Sequence, residues 1–177
     1  MYNIGIIGAG KVGVSLGRYL LGLDYTNLVG YYSRSLYSSA YAAKVTNSGK
    51  FTSIEKLVEK SNVILITTPD DQISEIWSTI SKFSIQNKIV CHCSGSLSSE
   101  IFFDISSKGA SGCSMHPILA ISSKENSYKD LSSAFFTLEG QDKAIEFFSR
   151  VLDSKRNKYK VLSKTEKTKY HISSVFI

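Results

Sequence analysis

The feature that most constrains the fold is a glycine-rich hexapeptide directly after the first apolar segment. Residues 2–7, YNIGII, have the length and apolar content of a short buried strand. The next six residues, Gly8-Ala9-Gly10-Lys11-Val12-Gly13, follow the spacing G-x-G-x-x-G. An amphipathic segment over 12–21 then predicts a helix. A glycine-rich turn between a strand and a helix is typical of a βαβ unit and predicts an α/β fold.

The remaining sequence repeats this alternation of strands and helices, which predicts a doubly wound, mostly parallel Rossmann sheet with flanking helices. The run 62–67 is continuously apolar at its centre, as expected for a strand covered on both faces. We predict strands at 3–7, 28–32, 62–67, 88–92, 112–116, 134–138 and 159–162. We predict helices at 12–21, 38–44, 54–61, 72–83, 97–107 and 141–152, and an exposed loop at 122–130.

Each glycine of the motif has a physical role in binding a dinucleotide. Gly8 permits the tight turn, Gly10 allows the backbone to approach a pyrophosphate, and Gly13 lets the helix lie close to the strand. The helix N-terminus adds N–H donors and the positive end of a dipole. Because the strand and helix stand on either side of the loop, dinucleotide binding is favoured over a purely structural turn. Ala9, Val12 and Lys11 belong to the same predicted site, although solvent exposure explains Lys11 equally well.

The residues after the second predicted strand indicate which dinucleotide the site binds. An NAD site usually has an acidic residue about 20 residues after the glycine loop, bound to the ribose 2′-hydroxyl. Here the strand is followed by Ser33-Arg34-Ser35 and no carboxylate. A guanidinium between two hydroxyls suits a 2′-phosphate, since arginine offers a planar fork of donors. We therefore predict NADP as the cofactor, with an ordinary polar loop as the alternative interpretation.

Composition narrows the class of protein. No apolar run among the 177 residues approaches the roughly 18 needed to cross a bilayer, and no signal peptide is recognisable. Three cysteines do not form a disulfide framework and fit a reducing cytoplasm. The net charge of +6 is concentrated at 155–169, which raises nucleic-acid binding as an alternative. That segment lacks interleaved aromatic residues, so a solvated basic face is the better interpretation and no nucleic-acid partner is predicted.

Three further strand ends are predicted to lie along the ligand-binding edge of the sheet. Thr67, Thr68 and Pro69 follow the third long predicted strand and would border the nicotinamide, and Asp70 or Asp71 can cap the next helix. Two more segments complete the edge. They are His92-Cys93-Ser94-Gly95-Ser96, in which Ser94 and Gly95 would lie near the transferred hydride, and Ser114-Met115-His116-Pro117.

The histidines at these strand ends, His92 and His116, are candidates for general acid–base chemistry because histidine titrates near neutral pH. A zinc site is the alternative, but Cys91 and Cys93 share one face of their strand while His92 points to the other. The metal-binding spacings are also missing, so we predict no metal. A serine nucleophile in this region lacks the G-x-S-x-G pattern and a recognisable acid partner.

The C-terminal residues predict the beginning of a helix that Ser163 or Thr165 could cap. Lys167 and His171 lie four residues apart and therefore share a face of that helix. An apolar stretch at 172–177 implies something for the helix to pack against. We expect residues 1–162 to form the nucleotide-binding domain, and 163–177 to be the first helix of a truncated helical domain.

These motifs together resemble a known family. The segments around Ser94, His116 and Glu139, followed by the K-x-x-Y-H run from Lys167 to His171, are similar to Rossmann-like proteins with a C-terminal DUF2520 domain. These are relatives of pyrroline-5-carboxylate reductase and of the 6-phosphogluconate and 3-hydroxyacid dehydrogenases. The resemblance implies an NADP-binding domain followed by a helical domain that forms a homodimer and closes the active site. It also implies that a lysine on the first helix of that second domain can act as acid or base.

The sequence therefore predicts an NADP-dependent oxidoreductase, or its cofactor-binding part, that acts on a small C=O or C=N substrate. His116, Lys167 and His171 are the candidates for substrate binding or proton transfer. The alternative is a non-catalytic module that binds NADP(H) or serves in interactions.

Overall fold

The computed structural model describes residues 1–167, and these form one eight-stranded sheet between two layers of helices. The strands are β1 (Tyr2–Ile7), β2 (Thr26–Tyr32), β3 (Gly49–Phe51), β4 (Val63–Ile66), β5 (Ile89–His92), β6 (Ser111–Ile118), β7 (Phe135–Gly140) and β8 (Lys158–Val161). The helices are α1 (Lys11–Leu20), α2 (Leu36–Thr46), α3 (Ile54–Lys60), α4 (Asp70–Ile80), α5 (Ser127–Asp130) and α6 (Asp142–Ser154). None of the helices in this part of the chain is long and apolar enough to cross a membrane.

The order of the strands in the sheet confirms the predicted Rossmann architecture. The order is β3-β2-β1-β4-β5-β6-β7-β8, and its first six strands run parallel. β7 runs antiparallel to β6 and parallel to β8. The chain order reverses between β1 and β4, which is where ligands bind in open sheets of this type, beyond the carboxyl ends of the strands. The glycine loop leaves β1 at this point.

Both faces of the sheet are covered by apolar packing, as the continuous apolar run in β4 predicted. Val63 and Leu65 of β4 pack into the core on the side of α1 and α6. Ile64 and Ile66 pack on the opposite side, against α3 and α4. All four side chains are fully buried, so the central strand has no exposed face.

Three local predictions are wrong or incomplete. The predicted helix 97–107 is replaced by two short 3₁₀ turns, Ser99–Ile101 and Ser106–Lys108, separated by Asp104 at a φ of +43°. The three-residue strand β3 was not predicted, because it is too short to show periodicity. The stretch predicted as an exposed loop contains the helix α5, in which Ser127 is buried.

Residues 164–167 are helical and begin with a capping box. The Ser163 hydroxyl accepts a hydrogen bond from the backbone N–H of Glu166 at 3.3 Å, and a Glu166 carboxylate oxygen accepts from the Ser163 N–H at 2.8 Å. Of the two caps that the sequence offered, Ser163 is the one used. The other residues of the predicted terminal helix, 168–177, lie outside the described part of the chain, and the domain boundary at 162 stays a prediction.

Candidate functional site

The glycine loop is held in a tight turn by neighbouring strands. Gly8 has a φ of +110°, a conformation that side chains disfavour, and its N–H donates to the Tyr32 carbonyl at 2.9 Å. The Thr67 hydroxyl donates to the Gly8 carbonyl at 2.9 Å. A methyl group at Gly13 would lie 2.1 Å from that same carbonyl oxygen. Gly8 and Gly13 are therefore required by the fold of the loop itself.

Gly10 differs, because the protein does not fill the space beside it. A Cβ atom built on Gly10 would meet no atom within 4 Å. Gly10 is also the N-cap of α1, where no side chain caps the helix and the first turn contains no acidic residue. The first N–H groups of a helix have no partners within it, so this end of α1 is suited to receive an anion.

A cavity of about 160 Å³ extends from the glycine loop toward the end of β2. Its walls come from the loop, the ends of β2 and β4, and one face of α4. The lining residues are Ile7, Gly8, Ala9, Gly10, Tyr32, Ser33, Arg34, Thr67, Thr68, Pro69, Gln72 and Ile76. The structure thus brings the predicted glycine loop and the predicted phosphate-reading residues to one cavity.

The residues predicted to read the 2′-phosphate differ in their surroundings. Arg34 is exposed at the cavity and makes no ion pair or hydrogen bond with any of residues 1–167. Ser33 lines the cavity beside it. Ser35 is the N-cap of α2, and its hydroxyl accepts from the Ser38 N–H at 3.2 Å. Arg34 and Ser33 are therefore placed to meet a ligand, whereas the Ser35 hydroxyl stabilises a helix.

A second cavity of about 410 Å³ continues the first past the loop, and the two share Gly10, Thr67, Thr68 and Pro69. Its other lining residues are Lys11, Val12, Asp70, Cys93, Ser94 and Ile121. Thr68 lines both cavities, and its hydroxyl is buried with no hydrogen-bond partner among the described residues. A buried hydroxyl without a partner is costly unless a ligand bonds it. Together with the open space at Gly10, this fits a dinucleotide bound along both cavities.

A turn after β5 forms the far wall of the second cavity. The Ser94 hydroxyl accepts hydrogen bonds from the backbone N–H groups of Ser96 and Leu97, at 3.1 and 3.0 Å. It donates to Asp70 at 2.6 Å. The prediction that Asp70 or Asp71 caps α4 is wrong, because Pro69 is the N-cap and no side chain caps this helix. Asp70 instead lies within the first turn, where its carboxylate is bonded by the serines of the neighbouring turn.

His92 supports this turn from inside the protein. Its Nδ1 accepts from the Ser94 N–H, so Nε2 carries the proton and donates to the Ser98 carbonyl, each at 3.2 Å. The ring is fully buried, and burial followed by the nearby Lys167 charge lowers the His92 pKa to about 4. His92 is thus neutral at pH 7 and does not line the cleft. The prediction that it contributes to the rim is wrong.

The thiols and His92 point to opposite faces of β5, as strand alternation predicted. Cys91 packs in the core beside α1, whereas the His92 ring lies 5.4 Å from the Phe102 ring on the other side. Burial raises the pKa of both Cys91 and Cys93, so neither is a thiolate at pH 7. Among residues 1–167, no three His, Cys, Asp or Glu side chains are grouped as metal ligands.

His116 and Gly95 lie in contact above the same turn. The His116 Nδ1 donates to the Cys93 carbonyl at 3.2 Å. A Cβ atom at Gly95 would lie 3.0 Å from the His116 ring, which explains the glycine at this position. The predicted site residues Ser94, Gly95 and His116, which come from two different strands, are therefore adjacent.

Lys167 reaches the turn from the C-terminal helical segment. Its Nζ donates to the Ser94 carbonyl at 3.2 Å and to the Ser114 hydroxyl. Burial lowers the Lys167 pKa, and the carboxylate of Glu139 opposes the shift. Lys167 is only 2% exposed, so an amine with a lowered pKa lies directly behind the wall of the second cavity. His171, the other helix candidate, is outside the described residues.

Glu139 is a site residue that sequence reasoning missed. It lies on β7, is 5% exposed and pairs in register with Ser114. Its two carboxylate oxygens accept from the Ser99 N–H at 2.7 Å and the Ser99 hydroxyl at 2.8 Å. In the sequence, Glu139 lies just after the strand predicted at 134–138 and is marked only by the family resemblance, which gives it no role.

The sheet order, the glycine loop at the switch point and the cleft above it define a doubly wound α/β protein of the Rossmann type. A family model described as the Rossmann-like domain matches residues 1–117. The chain belongs to this Rossmann-like family. A search of curated proteins gives no match.

Solved structures share this fold at low sequence identity. Protein TM1727 from Thermotoga maritima is 25% identical with a TM-score of 0.70, over 98% of this chain and 62% of that one. A proposed NADP oxidoreductase from Bacteroides fragilis, BF3122, is 18% identical with a TM-score of 0.84, over 99% and 66%. An imine reductase from Pseudomonas sp. is 14% identical with a TM-score of 0.74, over 99% and 60%. The chain therefore spans less than two thirds of each of these proteins.

Proposed function

We propose that this chain is the nucleotide-binding part of an NADP-dependent oxidoreductase that transfers a hydride to or from a small C=O or C=N substrate. The observation that carries the proposal is the continuous cleft from Arg34, past the uncapped N-terminus of α1, to the Ser94 turn. The residues that the two cavities share and the open space at Gly10 suit an extended dinucleotide. The orphaned Thr68 hydroxyl at its centre also favours a polar ligand.

Each part of the cleft has a distinct role in holding NADP. Arg34 and Ser33 would bind the 2′-phosphate, and the first N–H groups of α1 would bind the pyrophosphate. Thr68 and Pro69 would border the nicotinamide riboside, and the reactive ring would then lie toward Ser94, which lines the same cavity. When bound, NADP supplies the hydride, and the protein's task is to orient it and manage the proton.

Lys167 is the residue best placed to manage that proton. Its amine is buried behind Ser94, a residue of the cavity wall, and is bonded to the Ser94 carbonyl and the Ser114 hydroxyl. A lysine whose pKa is lowered toward neutrality is a better general acid than an exposed one. His116, in contact with Gly95, is the second candidate, and His171 stays a prediction from sequence.

The descriptions of two similar structures are consistent with an oxidoreductase, but they do not identify the substrate of this chain. BF3122 is described as a proposed NADP oxidoreductase, and the Pseudomonas protein as an imine reductase. Since this chain spans 60–66% of those proteins, the activity of a whole enzyme is part of the proposal. The homodimer that the family resemblance implies and the cytoplasmic location also stay predictions.

Single-turnover oxidation of NADPH with cyclic imines and 2-ketoacids tests the proposal. We expect oxidation that slows as pH rises through the Lys167 pKa, below the ordinary lysine value of 10.5. Lys167→Met should reduce the rate about 100-fold or more, a typical general-acid contribution, while NADPH binding persists. Lys56→Met, which changes an exposed lysine of α3, is the matched control.

The possible outcomes separate the two functional hypotheses. Binding of NADPH without oxidation of any substrate, including after a longer C-terminal region is supplied, would support the non-catalytic module. Failure to bind NADPH at all would contradict both the enzyme and a module that binds NADP(H).

A further inference from the structure

The first turn of α4 is bonded to the turn after β5 through one carboxylate oxygen. Asp70 Oδ2 accepts from the Ser94 hydroxyl at 2.6 Å and from the Ser96 hydroxyl at 2.7 Å. Ser94 in turn accepts the Ser96 and Leu97 N–H groups on the same hydroxyl. Because hydrogen bonds to a charged acceptor are the strong ones, Asp70 fixes the orientation of the hydroxyl around which this turn is built.

Ser94 also carries the contact to the buried amine. Its carbonyl accepts from Lys167 Nζ at 3.2 Å, while its N–H is held by His92 at 3.2 Å. Asp70 follows directly after Thr68 and Pro69, which line both cavities. A single residue, Ser94, thus connects the part of the cleft that would border the nicotinamide with the amine behind it.

We propose that Asp70 is a positioning residue that holds the 94–97 turn, and through the Ser94 carbonyl the Lys167 amine, in register with the cofactor cleft. The chemistry assigned to Lys167 rests on the proposed function, but the positioning itself does not. The helix N-terminus does not explain the arrangement, because a carboxylate there needs no serine partners to interact favourably with the helix dipole.

Asp71 provides a matched control within the same turn of the same helix. It is exposed and makes no hydrogen bond to the 94–97 turn, yet it carries the same charge at the same end of α4. Asp71→Ala therefore removes a carboxylate and its interaction with the helix dipole, and leaves the serine contacts intact. Asp70→Asn keeps an acceptor without the charge, and Asp70→Ala removes both.

The experiment measures two local properties of the 177-residue protein. Amide hydrogen exchange measures how readily the Ser96 and Leu97 N–H groups open to solvent. NMR titration of ¹³C-labelled lysine measures the titration midpoint of the Lys167 amine, whose signal is assigned as the one missing in Lys167→Arg. Asp70→Ala should speed exchange of both amides roughly tenfold, as expected for loss of a charged hydrogen bond. The Lys167 midpoint should fall by about half a pH unit or more, because the ammonium loses a fixed acceptor. Asp70→Asn should restore part of both effects, and Asp71→Ala should change neither.

The titration is interpreted against the other groups around Lys167. These are Glu139, the thiols of Cys91, Cys93 and Cys113, and the His92 ring, which none of the variants changes. The proposal is overturned if Asp70→Ala leaves exchange and titration as in the unmodified protein. It is also overturned if Asp71→Ala produces the same changes. Loss of one negative charge at the start of α4 would then explain both effects without the hydrogen bonds to the serines. The proposed function fails by a different measurement, namely the absence of NADPH binding or oxidation, so the two failures are distinguishable.

Discussion

At the scale of single residues, the same amino acid has opposite roles at two neighbouring strand ends. His92 and His116 are the last residues of two predicted strands, and nothing in the sequence distinguishes them as candidates. In the structure, His92 is buried with both ring nitrogens bonded to backbone, whereas His116 is half-buried and lies beside Gly95. The difference arises because residues 98–102 fold back over His92, a long-range contact that no local pattern predicts.

His92 should make stability dependent on pH. Its folded pKa of about 4 lies below the ordinary value of 6.5, so the unfolded chain binds the proton more readily between these values. Stability is therefore retained above pH 6.5 and falls as pH drops toward 4, by about 3 kcal/mol at 1.36 kcal/mol per pH unit. Urea unfolding at a series of pH values measures this loss.

A variant that cannot titrate isolates the contribution of His92. His92→Gln keeps one acceptor and one donor for the Ser94 and Ser98 backbone groups. Its stability should change less between pH 6.5 and 4 than that of the unmodified protein. Equal slopes in the two proteins would show that other groups cause the dependence.

At the scale of secondary-structure elements, the long periodic segments were predictable and the segment shaped by tertiary contacts was not. α1, α4 and α6 lie within a few residues of their predicted bounds. The predicted helix 97–107 failed although its apolar residues have helical spacing. There the Ser98 carbonyl accepts from His92 and the Ser99 N–H donates to Glu139, so long-range hydrogen bonds hold the start of this segment.

The glycine loop gives a prediction about two elements that must approach closely. Gly13→Ala places a methyl group 2.1 Å from the Gly8 carbonyl oxygen and should destabilise the fold by about 2 kcal/mol or more. Gly10→Ala meets no protein atom within 4 Å, so its stability should change by less than about 1 kcal/mol. It should nevertheless weaken NADPH binding about tenfold or more, through loss of backbone–phosphate approach.

Urea unfolding and NADPH titration of both glycine variants measure these effects. A Gly10→Ala protein that unfolds at a clearly lower urea concentration than the unmodified protein would show that Gly10 is required by the fold. A stable variant that binds NADPH normally would show that the dinucleotide does not approach the backbone at this loop.

At the scale of the whole molecule, the order of elements predicted the mostly parallel sheet, and the glycine motif with the residues after the strands predicted part of the lining of both cavities. The carboxyl ends of parallel strands lie at one edge of the sheet. The sequence alone therefore predicts that Gly10, Arg34 and Thr68 are close together. Asp70 and Glu139 could not be assigned in this way. Their roles depend on which side chains meet across the cleft and across an antiparallel strand pair, and these are relations that spacing does not encode.

The central claim is that the cleft binds NADP with its 2′-phosphate at Arg34. The most direct measurement is the affinity of NADPH and NADH for the unmodified protein and for Arg34→Ala. Arg156→Asn, which removes an exposed arginine after α6, is the charge control. We predict that Arg34→Ala weakens NADPH about 10- to 100-fold, the size of lost charge-assisted hydrogen bonds, with little change for NADH. Equal weakening of both nucleotides, or an equal effect in Arg156→Asn, would contradict the account.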